Sequence, residues 1–233
     1  MLADIRYILW DLDGTLYRFE EDFLIACNHA AARAAVHLGV PLQMDEAIEF
    51  AWQSHAQTGQ SILHFLRDYD ITASDMHECY HGFIDETIIM AAEQVSDCLR
   101  IMSDDMGLSH VIITHASRSW AHRVLKHLGL DDIFSDERII AKEDYDFQSK
   151  CESFLPFEMG LARLGADKQQ SIVVEDTVKN LKIAKDMGLK TAVFHHGKPP
   201  VPSPDYIDYS YDNVLEFFDA LSAAKIGNYS ASG

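Results

Sequence analysis

Two aspartates one residue apart, Asp11 and Asp13, stand directly behind an apolar run at residues 5–10 and ahead of Gly14 and Thr15. The run has strand length, so it carries both acids to the end of a buried strand. Open α/β sheets keep their chemistry outside the carboxyl ends of their strands. Gly14 lets the chain turn there, so that one carboxylate meets a substrate while the other lies beside it. A second acidic pair, Glu175-Asp176, ends another apolar run at residues 171–174, with Asn180 a few residues on. Carboxylates gathered in this way suit a hard divalent cation, and Mg²⁺ binds to one or two of them together with a phosphate oxygen and waters. An acidic strand-to-turn junction is the plain alternative, because Asp and Gly are common there. It does not explain why both pairs follow apolar strands.

Two further positions offer groups that could bind an anion. Residues 111–113 form an apolar run that ends in Thr114-His115, whose hydroxyl and neighbouring backbone N–H groups suit an anionic oxygen. Lys150 precedes residues 154–165, which read as a helix with a glycine stop. Lys142 is a rival, lying eight residues past Phe134 and well before that helix.

The run from Asp11 to Tyr17 resembles the first signature of the haloacid dehalogenase (HAD) superfamily in its phosphohydrolase form, which has two aspartates. Thr114, Lys150 and Glu175-Asp176 follow in the order of the family's other signatures. His115 stands where Asn is usual, and Cys151 where Pro commonly follows the lysine. The resemblance implies a Mg²⁺-dependent phosphomonoester hydrolase. In it Asp11 is the nucleophile that forms an aspartyl-phosphate, and Asp13 is the general acid and base. Thr114, His115 and Lys150 bind the phosphate. Asp11, the backbone carbonyl of Asp13, and Asp176 hold Mg²⁺, with Glu175 direct or through water. Likeness to pyrimidine 5′-nucleotidase members implies a nucleoside 5′-monophosphate, pyrimidine preferred. Phosphoglycolate or a sugar phosphate is the alternative, and a noncatalytic ligand-binding protein is the alternative of another class.

Strand and helix patterns alternate around these motifs. Strands are expected near residues 110–114, 138–141, 171–175 and 190–194. Helices are expected near 96–106, 118–128, 155–164, 178–187 and 212–224, with Thr177 as an N-cap. The alternation predicts an α/β fold with a doubly wound parallel sheet. Residues 18–94 have few strand-like runs. Phe23, Cys27, Ala30, Ala31 and Ala34 recur at helical spacing, as do Ile62, Phe65, Leu66 and Tyr69. This block resembles the superfamily's inserted all-helical cap, which gives a core of 1–17 and 95–233. Residues 228–233 read as a frayed tail.

The composition fits. Among 233 residues the formal charge is −18 and 48% are hydrophobic. So acidic a chain lacks the clustered cations that a nucleic-acid surface requires. A small phosphate ester is the expected partner, with no membrane span, and the protein a monomer or homodimer. Cys27, Cys79, Cys98 and Cys151 lack zinc spacing, and no signal peptide is evident, so reduced thiols in a cytoplasm are expected.

One rival motif stands apart. Residues 77–81 spell HExxH, the zinc-protease helix pattern. Such a site needs a third ligand and an open position. Without a third ligand at a recognised spacing, His77 and His81 read as half-buried positions on a cap helix, and His195-His196 as loop residues. Phe19, Phe23, Trp52 and Tyr69 are candidates to stack on a base.

Overall fold

A computed structural model describes residues 1–90 and 93–231. Its centre is a parallel sheet of β1 (Tyr7–Trp10), β2 (Ser109–Ile113), β3 (Ile139–Ile140), β4 (Ser171–Glu175), β5 (Lys190–Phe194) and β6 (Tyr209–Tyr211). The strand order is β3-β2-β1-β4-β5-β6. The order reverses beside β1, where Trp10 is in register with Ile112 on one side and Val174 on the other. Sheets of this order bind ligands in the crevice at that reversal. The two acidic pairs therefore leave adjacent strands at the point where a crevice opens.

Successive strand residues face opposite sides of the sheet. Ile8, Trp10, Ile112 and Val174 enter one core, while Leu9, Val111, Ile113 and Val173 enter the other. The first is covered by α5 (Glu93–Asp104), α6 (Arg118–His127) and α9 (Val214–Ala231). The second is covered by α7 (Leu155–Leu164) and α8 (Val178–Asp186). Burial on both faces is why these strands read as continuous apolar runs. On α7, a Cβ added at Gly160 would lie 2.9 Å from Ile113 Cδ1 and 3.2 Å from Leu9 Cδ2, so the helix seats directly on the sheet.

Between β1 and α5 lie four helices: α1 (Glu21–His37), α2 (Met44–Thr58), α3 (Leu63–Asp68) and α4 (Ala73–Gly82). Ala31, Ala34 and Ala35 of α1 meet Ala47 and Ala51 of α2, and Phe65 and Met76 complete a third core. Small side chains let the helices approach closely. The other side of α1 sends Phe23, Cys27 and Ala30 into the sheet-side core, tying the block down.

Four expectations change. Tyr209–Tyr211 adds a sixth strand, and α9 starts at Val214 and runs to Ala231. The tail predicted to fray is therefore helical over 228–231, and residues 232–233 lie outside the described residues, as do 91–92 near the cap boundary. The Thr177 side chain makes no capping bond, because its hydroxyl donates to Asp176 Oδ1 at 3.1 Å instead. His77 and His81 are each only 5% exposed, not half-buried. Among the described residues all four cysteines are free, and no helix is long and apolar enough to cross a membrane.

Candidate active site

β1, β2 and β4 deliver the acids, the threonine and the second acidic pair to one place because they are neighbours in register. Asp11 continues the ladder, its N–H donating to Val174 O at 2.9 Å. Asp11, Glu175 and Asp176 bring carboxylate oxygens within 4.8 Å of one another. At Gly14 the backbone has φ +88°, and an added Cβ would lie 2.3 Å from Asp176 Oδ2. The glycine thus supplies both the left-handed turn and the room for the fourth acid.

Lys150 is 1% exposed, and its ammonium donates to Asp11 Oδ1. It also lies 2.6 Å from Glu175 Oε1 and donates to Ile113 O at 3.2 Å. Burial alone would lower its pKa, but Asp11 and Glu175 outweigh that and hold it well above the ordinary lysine value. Lys142 does not enter the cluster. Its ammonium donates to Gln148 O at 2.5 Å, and burial lowers its pKa to about 8. The lysine that meets the acidic cluster is therefore Lys150, on a loop that begins after β3 and ends at α7.

Glu175 is fully engaged. Oε1 accepts the Asn180 amide at 2.7 Å as well as facing Lys150, and Oε2 accepts the Thr177 N–H at 2.8 Å. Asp176 is half-buried beside it, and burial with the Glu175 charge raises its pKa to about 7. Asp11 also accepts the Thr15 hydroxyl at 3.1 Å on Oδ2. Burial first, then Glu175, lifts its pKa well above the carboxylate range against the pull of Lys150. One lysine against three clustered carboxylates leaves negative charge uncompensated in a low-dielectric site. An all-oxygen, anionic donor set fits a hard divalent cation such as Mg²⁺.

Asp13 is half-buried and lines one cavity with Asp11, Glu175 and Asp176. Its Oδ1 accepts both the Tyr17 hydroxyl and the Trp120 indole N–H, the latter at 2.8 Å. Among the described residues its Oδ2 receives only the Thr114 hydroxyl, at 3.3 Å. Burial raises its pKa, with the Tyr17, Trp120 and Thr114 bonds opposing. Thr114 is fully buried, and its hydroxyl also accepts the Ala116 N–H at 3.0 Å. His115 accepts the Lys150 backbone N–H on Nε2 at 2.8 Å, so its proton resides on Nδ1. Burial and the Lys150 charge push its pKa well below the usual value, which keeps that ring neutral.

The acids line a cavity of about 250 Å³ shared with the helical block. Phe19, Phe23 and Leu24 supply apolar wall, and Gln60, Ser61 and His77 supply polar wall. The expected base-stacking aromatics are largely occupied. Phe23 packs edge-on against Tyr17 and stacks on Trp120, while Tyr69 packs against Phe50 in the helical core. Trp52 is not part of the wall. His77 and His81 gather no acid or third ligand, since among the described residues the metal-competent cluster is Asp11, Glu175 and Asp176. His196 Nε2 meets Gly14 O at 2.6 Å, holding the turn rather than facing the cavity.

Two side chains at the site have no role assigned from sequence: Trp120 and Tyr17. Asn180 is expected beside the acidic pair, and its amide bonds Glu175 there. Trp120 sits in an ordinary amphipathic helix pattern, and only its position in space reveals the bond to Asp13.

A sequence profile described as haloacid dehalogenase-like hydrolase matches residues 5–188. The chain is 26% identical to a glyceraldehyde 3-phosphate phosphatase of Methanocaldococcus jannaschii over 95% of this chain and 99% of the relative. It is 27% identical to pyrophosphatase PpaX of Bacillus pumilus, over 82% and 83%. Its fold superposes on CbbY from Rhodobacter sphaeroides, solved with phosphate, at TM-score 0.66 and 19% identity, covering 91% and 96%. With its two aspartates intact and the profile spanning most of its length, the chain belongs to the haloacid dehalogenase-like hydrolases, as one of their phosphatases.

Proposed function

We propose that the protein hydrolyses a small sugar phosphate, or a comparable short-chain ester such as phosphoglycolate, through an aspartyl-phosphate on Asp11. The observation that carries this is the meeting of Asp11, Lys150, Glu175 and Asp176 beside Asp13 at the sheet's reversal point. In the first step an Asp11 oxygen attacks phosphorus, the ester P–O bond breaks, and the departing alkoxide takes a proton from Asp13. In the second, Asp13 takes a proton from water as the water oxygen attacks phosphorus, and the P–O bond to Asp11 breaks, which regenerates the Asp11 carboxylate and releases phosphate. Lys150, Thr114 and the His115 N–H serve the phosphoryl oxygens as charge redistributes. Mg²⁺ would be held by Asp11, Asp176 and the backbone carbonyl of Asp13, with Glu175 orienting the set, and would neutralise charge between carboxylates and phosphate.

The substrate reading departs from the nucleotide expected on sequence likeness. A cavity of about 250 Å³ lies below the roughly 300–1,000 Å³ that drug-sized ligands fill. Of the aromatics expected to stack on a base, Phe23 is packed against Tyr17 and Trp120, Tyr69 against Phe50, and Trp52 is not part of the cavity wall. The phosphate of a short carbon chain suits the volume, and the relative from Methanocaldococcus is named for such a substrate. Pyrophosphate fits less well, because it has no carbon skeleton for Phe19, Phe23 and Leu24 to cover. Residues 18–94 act in this reading as the cap that closes the cavity from above.

A panel assay in Mg²⁺ tests the reading, with glyceraldehyde 3-phosphate, phosphoglycolate, larger sugar phosphates, pyrophosphate, UMP and CMP. A phosphate of two to six carbons should give the highest kcat/KM. UMP, CMP or pyrophosphate in first place would sink it.

A further inference from the structure

The two oxygens of Asp13 are used unequally. Oδ1 accepts two donors, the Tyr17 hydroxyl and the Trp120 indole N–H at 2.8 Å. Oδ2 has one long contact, from the Thr114 hydroxyl at 3.3 Å. That hydroxyl also accepts the Ala116 N–H. An oxygen that already accepts two donors is poorly placed to carry a proton of its own, since a third hydrogen would crowd against both. Two donors on one oxygen also fix the carboxyl plane, so the other oxygen points in one direction.

Trp120 is itself held by the helical block. It is 1% exposed, and its ring stacks on Phe23 of α1 and on His81 of α4, with ring centroids 5.9 Å apart in each case. The Arg123 guanidinium lies 5.1 Å from the indole centroid, and Arg123 also donates to His81 O at 2.6 Å. His77, one turn before His81, packs against Phe147 on the Lys150 loop, with centroids 5.3 Å apart. The histidines of the HExxH pattern therefore connect the helical block to the core beside Asp13 and Lys150.

We infer that Trp120 is a positioning residue for proton transfer. Together with Tyr17 it anchors Oδ1 of Asp13, reserves Oδ2 for the leaving group and the attacking water, and transmits the seating of α1 and α4 to that carboxyl. The inference rests on the acid–base role proposed for Asp13. Its rival is that a buried indole N–H has simply found an available acceptor. The two differ in which chemical step suffers when the N–H is lost.

Removing the donor while keeping a ring should impair only steps that need a well-aimed Asp13. A nitrophenolate leaves without protonation, whereas a sugar or glycolate alkoxide does not. Rapid mixing of Trp120→Phe with p-nitrophenyl phosphate should keep the first-turnover burst within about threefold of wild type. The first turnover of the best alkyl phosphate should fall about tenfold or more, with little change in KM. Tyr17→Phe should act in the same direction. If Trp120→Phe fails to fold, the isosteric benzothienyl amino acid at position 120 keeps the ring shape without the N–H and tests the same point. An equal loss with both esters, or no loss with either, overturns the inference. Asp13→Asn serves as the control: if it turns over the alkyl ester normally, the acid–base reading of Asp13 is what has failed.

Discussion

His115 Nε2 accepts the backbone N–H of Lys150 at 2.8 Å, joining the loop after β2 to the loop that carries the buried lysine. The family's usual residue at position 115 is Asn, yet the imidazole here has a definite task. It satisfies an otherwise orphaned donor and fixes the point from which the Lys150 side chain starts toward Asp11. Losing one such bond weakens the hold on Lys150 by about 1 kcal/mol. His115→Ala should therefore lower kcat/KM by about fivefold. It should also speed hydrogen exchange of the Lys150 amide. Unchanged exchange at Lys150 would show that His115 does not hold the loop.

Gly14 and Asp176 make the second test. Alanine at position 14 would need a left-handed backbone, which costs about 1 kcal/mol or more for an L side chain. Its Cβ would also displace the Asp176 carboxylate, 2.3 Å away. Gly14→Ala should fold with a lowered Tm and need at least about tenfold more Mg²⁺ for half-maximal activity, because one ligand has been pushed aside. Wild-type Tm and Mg²⁺ dependence together would show that the close approach has no consequence.

These two relationships mark where reading from the chain stops. The strands bearing Asp11, Thr114 and Glu175 were legible because burial on both faces makes each an unbroken apolar run. Lys150 was legible once a helix with a Gly165 stop was seen beyond it, and the structure separates it from Lys142, which is also buried, by contact with two carboxylates. Strand β6 was not legible, since its three residues, Tyr209–Tyr211, carry a polar centre and follow a proline-rich loop. Trp120 was hidden for a different reason. Its helix has the ordinary spacing of a core-facing element, and its bond to Asp13 spans 107 positions in sequence. No local pattern encodes a pairing of that separation. The HExxH spacing was legible as a shared helix face without a third ligand, and that face packs on Trp120 and Phe147.

The acidic cluster predicts how metal-free protein responds to pH. The Asp176 pKa is raised from 3.8 to about 7, and Asp11 and Asp13 are raised as well, chiefly by burial. A carboxyl with a raised folded-state pKa binds more protons folded than unfolded between the two values. For Asp176, burial therefore has no charge penalty below about pH 4 and the full penalty above about pH 7. The Tm of EDTA-treated protein should fall as pH rises from about 4 to 7, on top of the response of other groups. Saturating Mg²⁺ should remove most of that fall by binding the ionised cluster. Chelation should also abolish turnover and Mg²⁺ restore it, while His77→Ala leaves the metal requirement unchanged. A Tm profile that is the same with EDTA and with Mg²⁺ would show that this cluster is not a cation site.

The covalent step can be tested apart from the proton step, because Asp11 and Asp13 sit in different surroundings. Asp11 contacts Lys150 and shares the acidic cluster, whereas Asp13 is held by Tyr17, Trp120 and Thr114 outside it. Asp11→Asn keeps the shape of the side chain and removes one of three crowded negative charges, so the fold should survive. What it removes is the oxygen proposed as nucleophile, and an amide is a far weaker one. No burst should appear with p-nitrophenyl phosphate, no phosphoenzyme should be trapped by acid quench, and turnover of every ester should fall by at least about a thousandfold. Asp13→Asn should behave differently. Its first turnover of p-nitrophenyl phosphate should survive, then stall, because water attacking the aspartyl-phosphate lacks its base. Mass spectrometry of that stalled protein should find one added phosphoryl group on the peptide containing Asp11. Phosphate on any other residue, or wild-type turnover by Asp11→Asn, would remove Asp11 from the mechanism.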